Sequence, residues 1–166
     1  MKKAKPNTQR TTNLVITRTF EAPAELVWEA WTNPKAFKKW WGPEGYSCPH
    51  CEIDLRVGGN FLACMRSPEG KDFWSTGTYK EIKPKQKLVC TDSFADEQGN
   101  VVPASHYGMA DFPMKLLMSI TFDQINSKTR MTLRHQGFPE GEMLDQARDG
   151  WNQSFDKLAQ SLKPVA

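Results

Sequence analysis

A chain of 166 residues and 18.9 kDa has the size of one domain, able to bury roughly two-thirds of its unfolded surface. Its 22 basic and 19 acidic residues leave a net charge of +3, too mild a balance to point to nucleic acid or a membrane surface as partner. No run of about 18 apolar residues argues for a membrane span, and the basic opening with Lys2, Lys3, Lys5 and Arg10 has no apolar stretch of the secretory kind. Residues 1–12 are therefore expected to be a solvated, disordered tail, residues 13–166 one domain, and the protein cytoplasmic.

The first strand is predicted over Asn13–Phe20, where Val15, Thr17 and Thr19 alternate with Leu14, Ile16 and Arg18. Pro23 suits the first turn of a helix, and Ala24, Val27, Trp28 and Trp31 then share a helical face. Asn33 is a fitting N-cap for a second short helix whose apolar stripe is Phe37, Trp40 and Trp41. Gly42-Pro43 ends it. Four of the chain's six Trp precede residue 42, so aromatic packing concentrates here.

Glu52–Val57 alternates with period two, Ile53, Leu55 and Val57 against Glu52, Asp54 and Arg56, as a half-buried strand does. A three-residue loop, Val57-Gly58-Gly59 with Gly59 left-handed, would put Phe61, Ala63 and Met65 of the next strand, Asn60–Arg66, on the same inner face. Two further strands, Phe73–Ile82 and Lys87–Phe94, flank Lys83-Pro84-Lys85-Gln86. The segment from Ala95 to Pro113 is long and irregular; Tyr107, Met109 and Phe112 are apolar enough to pack, so its second half, Val101–Pro113, is expected to be an ordered flap. Met114, Leu116, Met118, Ile120 and Phe122 alternate in one strand, and Thr129, Met131, Leu133 and His135 in the last. Met143, Leu144, Ala147, Trp151, Phe155, Leu158, Ala159 and Leu162 then recur at helical spacing, predicting one long helix over Glu140–Leu162, with Gly150 marking a bend or a backbone contact.

The order of strand, two short helices, six strands and long helix predicts an α+β helix-grip fold: a curved antiparallel sheet of about seven strands wrapped around the C-terminal helix. The chain resembles the START-like (SRPBCC) superfamily and, within it, the family of activators of the 90-kilodalton heat-shock chaperone's ATPase. The resemblance rests on Ala22-Pro23, Val27 to Trp31, Asn33-Pro34, Trp40 to Pro43, Glu52 to Gly59, Gly77-Thr78-Tyr79, Leu133, His135, Gly137-Phe138 and Gly150-Trp151. It implies a cavity between sheet and helix, and a superfamily of ligand carriers, cyclases, hydrolases and co-chaperones. It brings no general catalytic motif.

Cys48-Pro49-His50-Cys51 matches the active-site sequence of some oxidising thioredoxin-like enzymes, in which the first thiol sits at a helix N-terminus. Here a strand pattern follows the motif, and no helix dipole is at hand. A structural pair is expected, with its two Cys on opposite faces if Cys48 belongs to the strand. A zinc site lacks a second ligand cluster, since Cys64, Cys90, His106 and His135 are scattered. Glu52, Asp54 and Arg56 read as a charged outer face, with an acid–base set as the alternative.

The first expectation is a binding protein without catalysis or cofactor. Its partner would be a small hydrophobic or amphipathic molecule held by Leu55, Phe61, Met65, Tyr79, Tyr107, Met118, Leu133, His135, Met143, Trp151 and Phe155, with His135 and Tyr79 as polar anchors. The second is a co-chaperone-type module whose partner is a chaperone, as the resemblance implies. The third is a cyclase, dehydratase or hydrolase using the same cavity, with Tyr79, His135, Glu52 or Asp54 as its available groups.

Overall fold

The computed structural model describes residues 11–109 and 112–163. In chain order the elements are β1 (Thr11–Phe20), α1 (Ala24–Thr32), α2 (Pro34–Phe37), β2 (Ser47–Ile53), β3 (Asn60–Arg66), β4 (Asp72–Lys83), β5 (Lys87–Ala95), a single 3-10 turn (Ala104–Tyr107), β6 (Leu116–Ile125), β7 (Lys128–Pro139) and α3 (Glu142–Ser161). One seven-stranded sheet runs in the order β1-β7-β6-β5-β4-β3-β2, every neighbouring pair antiparallel. β1 and β2 are consecutive strands yet occupy opposite edges. The α1–α2 connection must therefore cross the whole sheet, and with α3 it covers the concave face. The architecture is an α+β helix grip. No helix among the described residues is long and apolar enough to cross a membrane.

Each helix buries the face its periodicity marks. Ala24, Val27, Trp28, Ala30 and Trp31 are the buried residues of α1. Pro23 precedes α1 as its N-cap in extended backbone, one position earlier than predicted. The Oδ1 of Asn33 accepts from the amides of Lys35 at 2.9 Å and Ala36 at 3.4 Å, capping α2. Trp40 is fully buried, and its Nε1–H donates to the Ala30 carbonyl at 2.9 Å, which ties α2 to α1. Trp31 lies at the centre of an aromatic group, with ring centroids 4.7 Å from Trp40, 6.0 Å from Trp151 and 6.3 Å from Phe155.

Strand parity on β6 and β7 holds as predicted. Leu116, Met118, Ile120 and Phe122 are buried from β6, and Thr129, Met131, Leu133 and His135 from β7. β1 begins at Thr11, paired with Pro139, two residues before the predicted start. The long helix starts at Glu142 after Gly141.

The segment around β2 departs from expectation. β2 covers Ser47–Ile53, so the Cys-Pro-His-Cys run lies inside the strand, and Leu55 and Val57 lie outside it, 40% and 63% exposed. Six residues, 54–59, separate β2 from β3, and the left-handed residue is Gly58, at φ +88°. Gly59 is instead a packing position, where a Cβ would come within 2.2 Å of the Asp54 carbonyl oxygen. Ile53 still pairs with Phe61, so the predicted parity of β3 survives the different loop. Between Ser47 (opposite Arg66) and His50 (opposite Cys64), β2 advances three residues to two on its partner. That bulge returns Cys48 and Cys51 to the same side, both against the main core. Without it their spacing would put them on opposite faces.

Candidate functional site

α3 packs chiefly on β1 and β7. At that end Trp31, Trp40, Leu133, Phe155 and Leu158 fill the space between helix and sheet, each at most 2% exposed. Over β3, β4 and β5 the helix stands off, and a cavity of about 430 Å3 remains. Met65 (β3), Phe73, Trp74 and Ser75 (β4), and Asp92, Ser93 and Phe94 (β5) line its sheet side. Met143, Gln146, Ala147, Gly150, Trp151 and Ser154 line it from α3, and Trp41, Gly42, Pro43 and Tyr46 close one rim. That rim is held by Lys157, whose Nζ donates to the carbonyls of Gly42, Pro43 and Tyr46 at 2.9, 3.2 and 3.0 Å. All three ammonium protons are thus used. Burial lowers the Lys157 pKa below its ordinary value, Cys48 and Glu44 opposing the shift.

The predicted flap contributes Met109, Phe112 and Pro113 to the cavity wall. Tyr107 has a different place. Its hydroxyl donates to the Ala95 carbonyl and accepts from the Trp74 amide at 3.0 Å, and its ring packs on Phe73 and Phe94. It anchors the segment and does not line the cavity.

The polar centre of the cavity is a chain of three side chains. The Nε1–H of Trp151 donates to Nδ1 of His135 at 3.1 Å, and Nε2 of His135 meets Oδ2 of Asp92 at 2.9 Å. An indole N–H can only donate, so Nδ1 accepts, the imidazole proton sits on Nε2, and it is donated to the carboxylate. His135 is 3% exposed and spends both ring nitrogens on protein. Asp92 spends one oxygen. No buried side-chain nitrogen or oxygen among the described residues lacks a partner, and Asp92 lines the cavity with its side chain 19% exposed. Its Oδ1 accepts no hydrogen bond from the described residues. Among the described residues the cavity lining contains no Lys or Arg.

Of the residues expected to hold a ligand, Met65, His135, Met143 and Trp151 line this cavity. Phe61, Tyr79 and Met118 line a separate void of about 10 Å3, about the lower limit for a single water molecule. The expected wall is corrected at four further positions. Leu55 is exposed because β2 stops at Ile53. Leu133 and Phe155 are fully buried in the filled end, and Tyr107 is a flap anchor. Tyr79 is not a polar anchor of the cavity; burial pushes its hydroxyl pKa up. Sequence reasoning passed over Asp92, although Leu88, Cys90, Asp92 and Phe94 alternate along β5 and a carboxylate on an apolar stripe is the signal that identifies it. Trp41, Phe73, Trp74, Phe94 and Phe138 were missed because their strands and turns carry apolar residues on both faces.

On balance the surroundings of the Cys-Pro-His-Cys run disfavour a thiolate. Burial pushes the Cys48 thiol up to about 11 and that of Cys51 up to about 12, the reverse of what a redox nucleophile needs. Glu52 approaches His50, and Asp54 pairs with Arg56 at 2.9 Å, all on the exposed surface. Among the described residues no three His, Cys, Asp or Glu side chains gather as a metal site. Gly150, expected at a bend or a backbone contact, faces the Pro43 side chain, with Cγ 3.5 Å from where a Cβ would stand.

A family model described as "Activator of Hsp90 ATPase homolog 1-like protein" matches residues 21–163. Among solved structures, a Chromobacterium violaceum protein is 27% identical over 92% of this chain and 98% of its own, with a TM-score of 0.77. A Nitrosomonas europaea protein is 27% identical over 90% of this chain and 93% of its own, with a TM-score of 0.74. The AHSA1 protein of Silicibacter pomeroyi, 23% identical over 91% of this chain and 97% of its own with a TM-score of 0.73, shares the fold. No curated protein matches the chain.

Proposed function

The chain belongs to the family of Activator of Hsp90 ATPase homolog 1-like proteins, and on that premise we propose that it binds one small hydrophobic or amphipathic molecule between the concave face of its sheet and α3. The supporting observation is the 430 Å3 cavity, within the roughly 300–1,000 Å3 range of small-molecule sites. Its wall is aromatic and Met-rich, with the Asp92–His135 pair as its charged group and Ser75, Ser93 and Gln146 as further polar residues. Met and aromatic side chains accept varied apolar shapes, while the pair orients a polar end. His135 uses both nitrogens within the protein, so the pair acts here as a fixed recognition element.

A thermal-shift and ligand-observed NMR screen of apolar and amphipathic molecules tests this reading. A ligand at a hundredfold excess over Kd stabilises the fold by about 2.7 kcal/mol, or roughly 5–10 °C for a chain of this length. Ala147→Trp, which fills the cavity from α3, should abolish that shift while the protein remains folded. A broad panel with no shift and no line broadening would remove the proposal.

The family description favours a second reading, a co-chaperone-type module. Leu55 and Val57, exposed on the loop after β2, are then its contact residues. Stimulation of a chaperone ATPase by the purified chain, lost in Leu55→Asp with Val57→Asp, tests it. An unchanged ATPase rate opposes it.

A further inference from the structure

We propose that the cavity selects apolar molecules bearing a cationic nitrogen, a protonated amine or amidine, with Asp92 as the counter-charge. This rests on the ligand-binding reading above and names the class of ligand.

The charge balance of the lining carries the inference. Among the described residues Asp92 is the one acidic residue lining the cavity and no Lys or Arg lines it, the Lys157 ammonium at the rim being spent on three carbonyls. Its single ion-pair partner among the described residues is His135. The Trp151 indole donates to Nδ1, so the ring presents a neutral imidazole with its hydrogen on Nε2. Donation of that hydrogen orients the carboxylate without cancelling its charge. One negative charge is therefore left at the cavity floor, with Oδ1 open to a donor.

The surroundings add a second term of the same sign. Phe94 follows Asp92 on the same strand face, and the Phe138 ring lies 4.6 Å from that of His135. Phe112 links Phe94 and Phe138 at centroid distances of 6.0 and 5.6 Å, and Trp151 lies 5.7 Å from His135. Aromatic faces attract a cation through the ring quadrupole, most strongly where water is displaced. A neutral hydroxyl meets the carboxylate but gains little from the rings. A ligand carboxylate meets a like charge in a half-buried site and finds no Lys or Arg in the described lining to pair with. The ranking is amine, then alcohol, then acid, the opposite of a fatty-acid carrier.

Three probes sharing one apolar body isolate the head group: naphthylethylamine, naphthylethanol and naphthylacetate, titrated calorimetrically at neutral pH. The amine is expected to bind at least about tenfold more tightly than the alcohol, the gain of one charge-assisted contact, with the acetate weakest. In Asp92→Asn, which keeps an acceptor for His135, the amine's advantage over the alcohol should fall to within about twofold. Acetate binding as tightly as the amine, or an amine preference that survives Asp92→Asn, overturns the inference and leaves the cavity reading standing. If none of the three binds, the cavity reading falls and the inference with it. Should Asp92→Asn not fold, the ranking on the native protein alone decides.

Discussion

Replacing His135 by Phe probes the polar centre of the cavity directly. Phe fits the volume of the ring but removes both hydrogen bonds, the 3.1 Å bond from Trp151 and the 2.9 Å bond to Asp92. The indole N–H is left without an acceptor, at a cost of about 1–3 kcal/mol, and the carboxylate loses a charge-assisted donor, about 1.5–3 kcal/mol. Asp92 keeps some solvent contact, its side chain being 19% exposed, which brings the sum down to about 2–4 kcal/mol. For a chain of this length that corresponds to a melting temperature lowered by roughly 5–15 °C. Urea unfolding followed by tryptophan fluorescence at neutral pH measures it. The double variant His135→Phe with Asp92→Leu should recover a substantial part of the loss, because removing both partners of a buried polar pair costs less than orphaning one. A single variant within about 0.5 kcal/mol of the native protein, or a double variant no more stable than the sum of the singles, would refute the reasoning.

Other expectations follow from the same geometry. Gly77→Ala should destabilise by about 3 kcal/mol or more, because its Cβ would stand 1.8 Å from the Thr91 carbonyl oxygen. Gly150→Ala meets only Pro43 at 3.5 Å inside α3 and should stabilise by roughly 0.5–1 kcal/mol; denaturant midpoints of the two decide. Lys157→Met should cost about 1–2 kcal/mol, the three carbonyl bonds being partly offset by desolvation of the ammonium, and should speed amide exchange around Gly42–Tyr46. Because burial lowers the Lys157 pKa, the unfolded chain binds that proton more tightly. The contribution of this group to stability therefore rises with pH between the folded pKa and the ordinary value of 10.5, and Lys157→Met should flatten that rise in alkaline urea titrations. Iodoacetamide at pH about 8 should label Cys48 and Cys51 at least about tenfold more slowly in the native protein than in urea; fast native labelling of either would contradict their raised pKa values.

Period and punctuation in the sequence determined the elements and their faces. Ala24, Val27, Trp28 and Trp31 had to lie on one side of α1, and the three- and four-residue spacing through Trp151 and Phe155 marked the inner side of α3. Alternation through Leu133 puts His135 on the concave face. Tertiary structure decided what those faces meet. Leu55 and Ile53 have the same parity, but β2 ends between them, where the Arg56 amide turns back onto the Asp54 carbonyl. Cys48 and Cys51 share a side only through a bulge, a change of register that no spacing rule records. Whether an inward residue becomes core or cavity wall depended on its opposite number. Phe155 meets Trp31 and Trp40 and is sealed in, while Trp151, four residues earlier on the same face, reaches the open half of the sheet and joins Asp92 through His135. Periodicity records the polarity of each face, whereas a cavity is a mismatch in height between two faces far apart in the chain, and that mismatch exists only once they are packed.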